Sequence, residues 1–283
     1  MRERGIDGGG RSAWICRQPA GDDRLAGQRA TAHADTRAGQ AGWRLVRIPA
    51  ALTAVRRSLK KRGWRGIAML AVSKLYDRLF DARYGTDTHT WVELPDMGGT
   101  GAILEHALPY RPTDVLALRK LFRALDLSPG RVLVDFGCGK ARVLMVGAQF
   151  GFRGLRGVEF SAGLCEVARR NIARYRESAG VSAEFEIVHG DAAEYVVRED
   201  EDVFFLFNPF DDVVVRRVMD NISRSYRAQP RHMLLIYRRP VHEACITDNT
   251  PFEKAGTHLF WGSDFAVFEA AAAPVNPESA DES

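Results

Sequence analysis

The sequence contains no run of eighteen apolar residues, so no segment reads as a membrane-spanning helix. Cysteine is scarce as well. Cys16, Cys138, Cys165 and Cys245 lie far apart, with no CxxC pair and no clustered histidines. This argues against a disulfide framework and against a metal site, and a reducing, cytoplasmic setting is expected. Lysine is rare too, 6 residues against 34 arginines. The arginines are spread over the whole chain, which a GC-rich coding sequence explains more simply than phosphate recognition. Residues 1–40 have almost no bulky aliphatics, and without them a chain cannot offset its conformational entropy. Residues 1–42 are therefore expected to be disordered, and they lack the apolar core of a signal peptide.

What is present suits a globular protein. Hydrophobic residues make up 46% and charged residues 27% of 283, which excludes collagen-like, mucin-like and wholly disordered chains. The net charge of +4 is unevenly placed. Residues 41–84 carry eleven Lys or Arg against Asp77 and Asp81, a net of +9, while the 199 residues that follow sum to −7. In the basic stretch Leu45, Val46, Ile48, Leu52, Val55 and Leu59 alternate with Arg44, Arg47, Arg56, Arg57, Lys60 and Lys61. After Gly63 come Ile67, Leu70, Val72, Leu75, Tyr76, Leu79 and Phe80. The pattern predicts two basic amphipathic helices separated at Gly63. Two roles are open to them: docking of residues 43–80 on an anionic surface, membrane or nucleic acid, or a helical cap packed on the main domain. The cap is the simpler reading, because basic helices are common solvated faces.

Residues 84–111 read as loop. A helix is expected after Pro112, burying Val115, Leu116, Leu118, Leu121, Phe122 and Leu125, and ending at Ser128-Pro129-Gly130. Strand-like runs then alternate with helical ones. The runs are 131–136, 155–160, 183–188, 202–207 and 232–237, with a helix over 161–177 capped by Ser161 and a helical stretch near 213–222. Two late strands, 257–261 and 264–269, are separated by Gly262-Ser263. Alternation of this kind predicts an α/β fold: a Rossmann-like, doubly wound, mostly parallel sheet that binds ligands at the carboxyl ends of its strands. The expected division is a helical region and loop over 43–111, a sheet domain over 112–270 and a disordered tail over 271–283.

The most informative segment is Asp135-Phe136-Gly137-Cys138-Gly139-Lys140-Ala141. Glycines directly after a buried strand let the backbone turn sharply and come close to a ligand. Asp135 stands where a dinucleotide site usually has a small apolar residue; it would repel a pyrophosphate and favour a cationic ligand. Arg142 replaces the third glycine of GxGxxG. Glu159 ends the second strand, where a carboxylate can accept hydrogen bonds from both hydroxyls of a ribose.

On these residues the sequence resembles the class I S-adenosylmethionine-dependent methyltransferases over roughly 116–269. Their first motif, an acidic residue followed by GxGxG, is matched by Asp135, Gly137, Cys138 and Gly139, with Ala141 replacing the last glycine. The resemblance implies S-adenosylmethionine as cofactor and no metal. It places the ribose on Glu159, with Phe160 beside it, and the adenine on Asp191 and Ala192. It also implies a seven-stranded sheet, with the late strand pair as an antiparallel edge hairpin. Asn208-Pro209-Phe210 sits where many amino-group methyltransferases carry Asn/Asp-Pro-Pro-Tyr/Phe, though here with one proline. There the Asn oxygen and a Pro carbonyl accept hydrogen bonds from the target amine, and the aromatic ring contacts substrate or methyl-sulfonium. The resemblance therefore makes Asn208, Pro209 and Phe210 the catalytic candidates, counts Asn208 among the cofactor-binding residues as well, and favours an amine nitrogen over an oxygen. A looser similarity, to the Rossmann-type histone-lysine methyltransferases, rests on Gly139-Lys140-Ala141-Arg142, Val158-Glu159-Phe160 and Asn208-Pro209-Phe210. In those terms Tyr110-Arg111-Pro112-Thr113 belongs to a loop closing over the cofactor. The acceptor, small molecule or protein, is not legible. Two other classes remain as alternatives: a nicotinamide-dependent oxidoreductase, opposed by Asp135, Arg142 and the late Asn208-Pro209-Phe210, and a non-catalytic protein that binds a cofactor or docks on nucleic acid or membrane through its basic arm.

Overall fold

The computed structural model describes residues 47–93, 110–207 and 210–272, with side chains from residue 63 onward. Leu52–Ser283 forms one compact unit that holds the sheet; of the other unit, Met1–Ala51, the described part is the first turn of helix α1. Asn208 and Pro209, the expected disordered end 1–42, and residues 273–283 of the expected disordered tail 271–283 lie outside the described residues.

Helix α1 runs from Arg47 to Tyr84 and is broken at Gly63, whose φ of 65° and ψ of 173° are non-helical. Glycine reaches that conformation without steric cost, so one glycine separates two helical stretches. Helix α2 (Val115–Leu125) follows and buries Val115, Leu118, Leu121 and Phe122, close to the face read from its spacing. The alternating region then forms β1 (Val132–Phe136), α3 (Arg142–Gly147), β2 (Gly154–Glu159), α4 (Ala162–Ala179), β3 (Glu184–His189), β4 (Val203–Leu206), α5 (Asp212–Ala228), β5 (Met233–Arg238), α6 (Ala244–Thr247), β6 (Glu253–Phe260) and β7 (Ser263–Ala270). The Ser161 hydroxyl accepts from the Leu164 N–H at 3.3 Å, which starts α4 where the capping residue stands.

The seven strands form one sheet in the order β3-β2-β1-β4-β5-β7-β6. β1 to β5 are parallel, and β7 inserts antiparallel between β5 and β6. The fold is thus Rossmann-like, with the antiparallel pair at its edge. Successive strand residues alternate between two cores. Leu133, Leu155, Phe205 and Ile236 face the cluster shared with Phe80, α2 and α3. Val134, Phe136, Phe204 and Leu206 face the cluster shared with α5. Covering both faces is what makes β4 apolar throughout. The strand order reverses between β1 and β4, and the crevice at such a reversal is where a doubly wound sheet presents a ligand site.

Candidate functional site

The turn after β1 sits at that reversal. Gly137, Gly139 and Ala141 have φ of 76°, 53° and 67°, so the chain enters the left-handed region at alternate residues. For Ala141 this costs on the order of 1 kcal/mol, and replacement of the third glycine is tolerated at that price. The N–H groups of Gly137 and Cys138 both donate to the Val158 carbonyl, at 2.8 and 3.1 Å, and tie the turn to the end of β2. Cys138 folds back over Gly157, a residue with no distinguishing sequence signal. A Cβ there would lie 2.5 Å from Cys138 Sγ and 3.0 Å from Ile187 Cδ1. Gly157→Ala is therefore expected to destabilise the fold by about 1–3 kcal/mol through overpacking of the turn, measured by urea unfolding. An unchanged midpoint would mean that the turn yields freely.

Two carboxylates flank the turn. Glu159, at the end of β2, is buried; its Oε2 accepts from the Gly139 N–H at 2.9 Å and its Oε1 from the Ser161 N–H at 3.0 Å. Burial raises its pKa, although the Ser161, Gly139 and Phe160 N–H groups act in the opposite direction. Asp135, one residue from the end of β1, is buried as well, and its pKa lies well above the usual carboxylate range. Burial is the main cause and the Glu159 charge adds to it. Removing two acids from water at neighbouring strand ends disfavours their charged forms, and a cation placed beside them would favour those forms again. Such a place favours a cation or a hydroxyl-bearing ligand.

Asp191 lies one strand further along, after β3, and its Oδ1 accepts from the Ala193 N–H at 2.8 Å, starting the short 3-10 turn Ala192–Glu194. The Gly190 N–H donates to the Glu159 carbonyl at 3.0 Å and brings this loop beside β2. Asp135, Gly137, Cys138, Gly139, Glu159, Phe160, Asp191 and Ala192 thus stand on three adjacent strand ends. Phe160 is half-buried and packs with Val92 on Tyr110 and Leu164. Phe210 is buried in the core cluster shared with α5. The aromatic residue that lines the crevice beside the glycine turn is instead Phe207. Arg238, at the end of β5, lies over the Phe207 ring, its Cζ 3.8 Å from the centroid. Burial holds the Arg238 pKa down to about 10, while Asp114 pulls the other way.

Tyr110 closes the crevice. A Cβ on Gly139 would meet the Tyr110 ring at 2.1 Å, and the tyrosine hydroxyl donates to the Thr88 carbonyl at 3.1 Å. The cavity left among Tyr110, Pro112, Asp135, Gly137, Cys138 and Phe207 is about 20 Å³. The Tyr110 ring thus stands directly against the glycine turn.

A buried polar network holds the rim of the site, and the sequence did not announce it. Arg142, read as a missing glycine, is 2% exposed. Its Nη1 pairs with Asp77 Oδ2 at 3.0 Å, its Nη2 lies 3.7 Å from Asp81 Oδ2, and its Nε donates to Thr88 Oγ1 at 2.7 Å. Asp77 also accepts from the Val115 N–H at 3.0 Å and so caps α2 from another helix. Asp81 gathers the hydroxyls of Thr86 and Thr88, the N–H groups of Thr88 and His89, and His89 Nδ1, all within 2.9 Å. Lys140 binds Asp87 and Thr90, and Asn171 joins the Asp87 and Lys140 carbonyls. The signal available in sequence was Asp77 and Asp81 themselves, the only acids in a run of eleven bases.

No group of three or more His, Cys, Asp or Glu among the described residues is arranged to hold a metal ion. No helix among them is long and apolar enough to cross a membrane.

The sequence matches no protein-family model and no curated protein. Solved structures of similar fold include an RNA methyltransferase from Salinibacter ruber in complex with S-adenosyl-L-homocysteine, 19% identical over 60% of this chain and 99% of that one, with a TM-score of 0.44. A TehB-like SAM-dependent methyltransferase from Corynebacterium glutamicum is 16% identical over 57% of this chain and 90% of that one, with a TM-score of 0.41. A mutant of MtNAS in complex with S-adenosylmethionine is 22% identical over 56% of this chain, at a TM-score of 0.43. This chain spans 62% of that protein's length. The likeness is one of fold.

Proposed function

We propose that the chain binds S-adenosylmethionine against the turn 137–141 and transfers its methyl group to an acceptor, an amine nitrogen in preference to an oxygen. One observation carries this reading: two buried carboxylates, Asp135 and Glu159, flank a left-handed glycine turn at adjacent parallel strand ends, and both have raised pKa values. Ionising two neighbouring buried acids is costly by itself, and a cationic ligand beside them would lower that cost. The donor set fits this cofactor. Glu159 would take the ribose hydroxyls, Asp191 and the Ala192 N–H the adenine, and Asp135 the cationic end. Binding against Gly139 would require the Tyr110 ring, which stands directly over it, to shift.

When bound, S-adenosylmethionine supplies an activated methyl group with a neutral thioether as leaving group. The chain's own residues then have only to bind, orient and exclude water. Holding the acceptor in line contributes about 7–11 kcal/mol through proximity. Asn208 and Pro209, which follow the crevice residue Phe207, would accept hydrogen bonds from an uncharged amine and aim its lone pair. Tyr110 and Thr113, of the loop before α2, would close over the bound ligand and keep water out. No general base is assigned, because a neutral amine needs none before attack.

The binding claim is tested by calorimetric titration of the full chain with S-adenosylmethionine and S-adenosylhomocysteine, with NADH as control. Micromolar binding of the first two alone is expected; binding of NADH alone would replace the reading with an oxidoreductase. Once an acceptor is found in a screen led by amines, Asn208→Ala is expected to lower kcat about 100-fold or more while leaving cofactor affinity unchanged. Equal losses of both would make Asn208 a cofactor or structural residue.

A further inference from the structure

Helix α1 is amphipathic in the opposite sense to an ordinary surface helix. Its inward side carries Ser73, Asp77 and Asp81, each at most 4% exposed, beside Phe80 and Tyr84. Its outward side carries Trp64, Val72, Leu75 and Leu79, which are 76%, 48%, 58% and 55% exposed. Their spacing places them along one line of the helix, with the exposed Ala68 and Ala71 between them. Exposed apolar residues are ordinary when single, whereas a continuous stripe marks a surface that is covered in use.

The charges beside the stripe have one sign. Residues 41–84 hold eleven Lys or Arg, and their only acids, Asp77 and Asp81, are turned inward to Arg142. The outward face therefore has no negative side chain, and exposed Arg65, Arg78 and Arg83 border the stripe. Basic flanks around an apolar line that includes a tryptophan suit a helix lying in the plane of a membrane. Its aliphatic side chains enter the boundary between headgroups and acyl chains while its arginines meet anionic headgroups.

We infer that the outward face of α1, from Trp64 to Leu79, docks on an anionic lipid surface. Other occupants fit less well. Leucine and valine give no platform for stacked bases, so a nucleic acid would leave the stripe uncovered. A second copy meeting the same face would bring like charges together. The face lies on the side of α1 away from Asp77 and Asp81, the residues that reach the glycine turn, so this inference does not rest on the proposed methyl transfer.

The test is cosedimentation of the full chain with phosphatidylcholine vesicles, with and without phosphatidylglycerol. Binding is expected to require phosphatidylglycerol, to weaken in high salt, and to fall roughly tenfold or more in Leu75→Glu/Leu79→Glu with the melting temperature unchanged. Equal binding to both vesicle types, or equal binding by the double variant, would overturn it. So would a wild-type dimer in solution that the double variant dissociates, since the stripe would then face a second copy. Should the double variant melt early, Trp64→Phe decides: phosphatidylglycerol vesicles should blue-shift the wild-type tryptophan emission, and that shift should vanish in the variant. A shift that persists undiminished would mean that the stripe stays in water.

Discussion

Replacing Arg142 with methionine is expected to destabilise the fold by about 3–5 kcal/mol, the cost of leaving buried carboxylates without their cation. At roughly 2–4 °C per kcal/mol, the thermal midpoint falls by about 10 °C. Asp77 and Asp81 are then buried without the guanidinium that faces both, and the Thr88 hydroxyl and Thr113 carbonyl lose its N–H donors. Adding Asp77→Leu to the methionine variant should recover part of the loss, because an apolar pair can replace a buried ion pair at little cost. No recovery would mean that the capping of α2 by Asp77, and not the ion pair, is what the helix contributes.

The network also sets the acid limit of the fold. Burial pushes the Asp81 pKa up, but hydrogen bonds from Thr86, Thr88 and His89 outweigh it and hold the carboxyl below its ordinary value. A depressed carboxylate stabilises the fold above its unfolded pKa and loses that contribution as pH falls through the folded one. Asp87 and Asp114 carry shifts of the same sign. The protein should stay folded through mild acid and unfold below the usual carboxylate range.

The second large effect has opposite signs for stability and binding. Asp135→Asn is expected to raise the thermal midpoint at neutral pH and to weaken S-adenosylmethionine binding about 10- to 100-fold, the loss of a charge-assisted contact. The Asp135 pKa is raised, by burial first and then by Glu159, so its stabilising contribution is complete below the unfolded carboxylate pKa and is lost as pH rises through the folded value. Asparagine removes that loss, and the gain in melting temperature should shrink toward acid pH. Differential scanning calorimetry across pH, with titration of the cofactor, measures both. An asparagine variant that melts lower at neutral pH, or that binds with unchanged affinity, would show that Asp135 is a structural residue and not part of the binding face. A stability cost retained at a site is what a ligand-binding carboxylate is expected to carry.

The strands of the sheet were legible because each strand signal is local. Asp202–Phe207 reads as a central strand from its own apolar residues, and β4 covers Val203–Leu206 with both faces in core. Ser161 announces α4 by a hydrogen bond three residues away. The glycine turn was legible for the same reason, since left-handed backbone at alternate residues is written in Gly137 and Gly139. Phe210 was not: its burial in the α5 cluster depends on how a helix packs, whereas the motif speaks only of order along the chain.

By itself the sequence determined the order of strands and helices, the break at Gly63 and the acidic residues at three strand ends, because hydrophobic period, turn chemistry and strand length are properties of short segments. Only the tertiary structure decided what the two acids of the basic arm do. Asp77 and Asp81 lie more than sixty residues before Arg142, and they meet it because α1 packs across α2 and the glycine turn. That contact turns the polar side of α1 inward and its leucines outward. No pattern within the helix could state this, since the partner that makes burial of its acids favourable, Arg142, stands far along the chain.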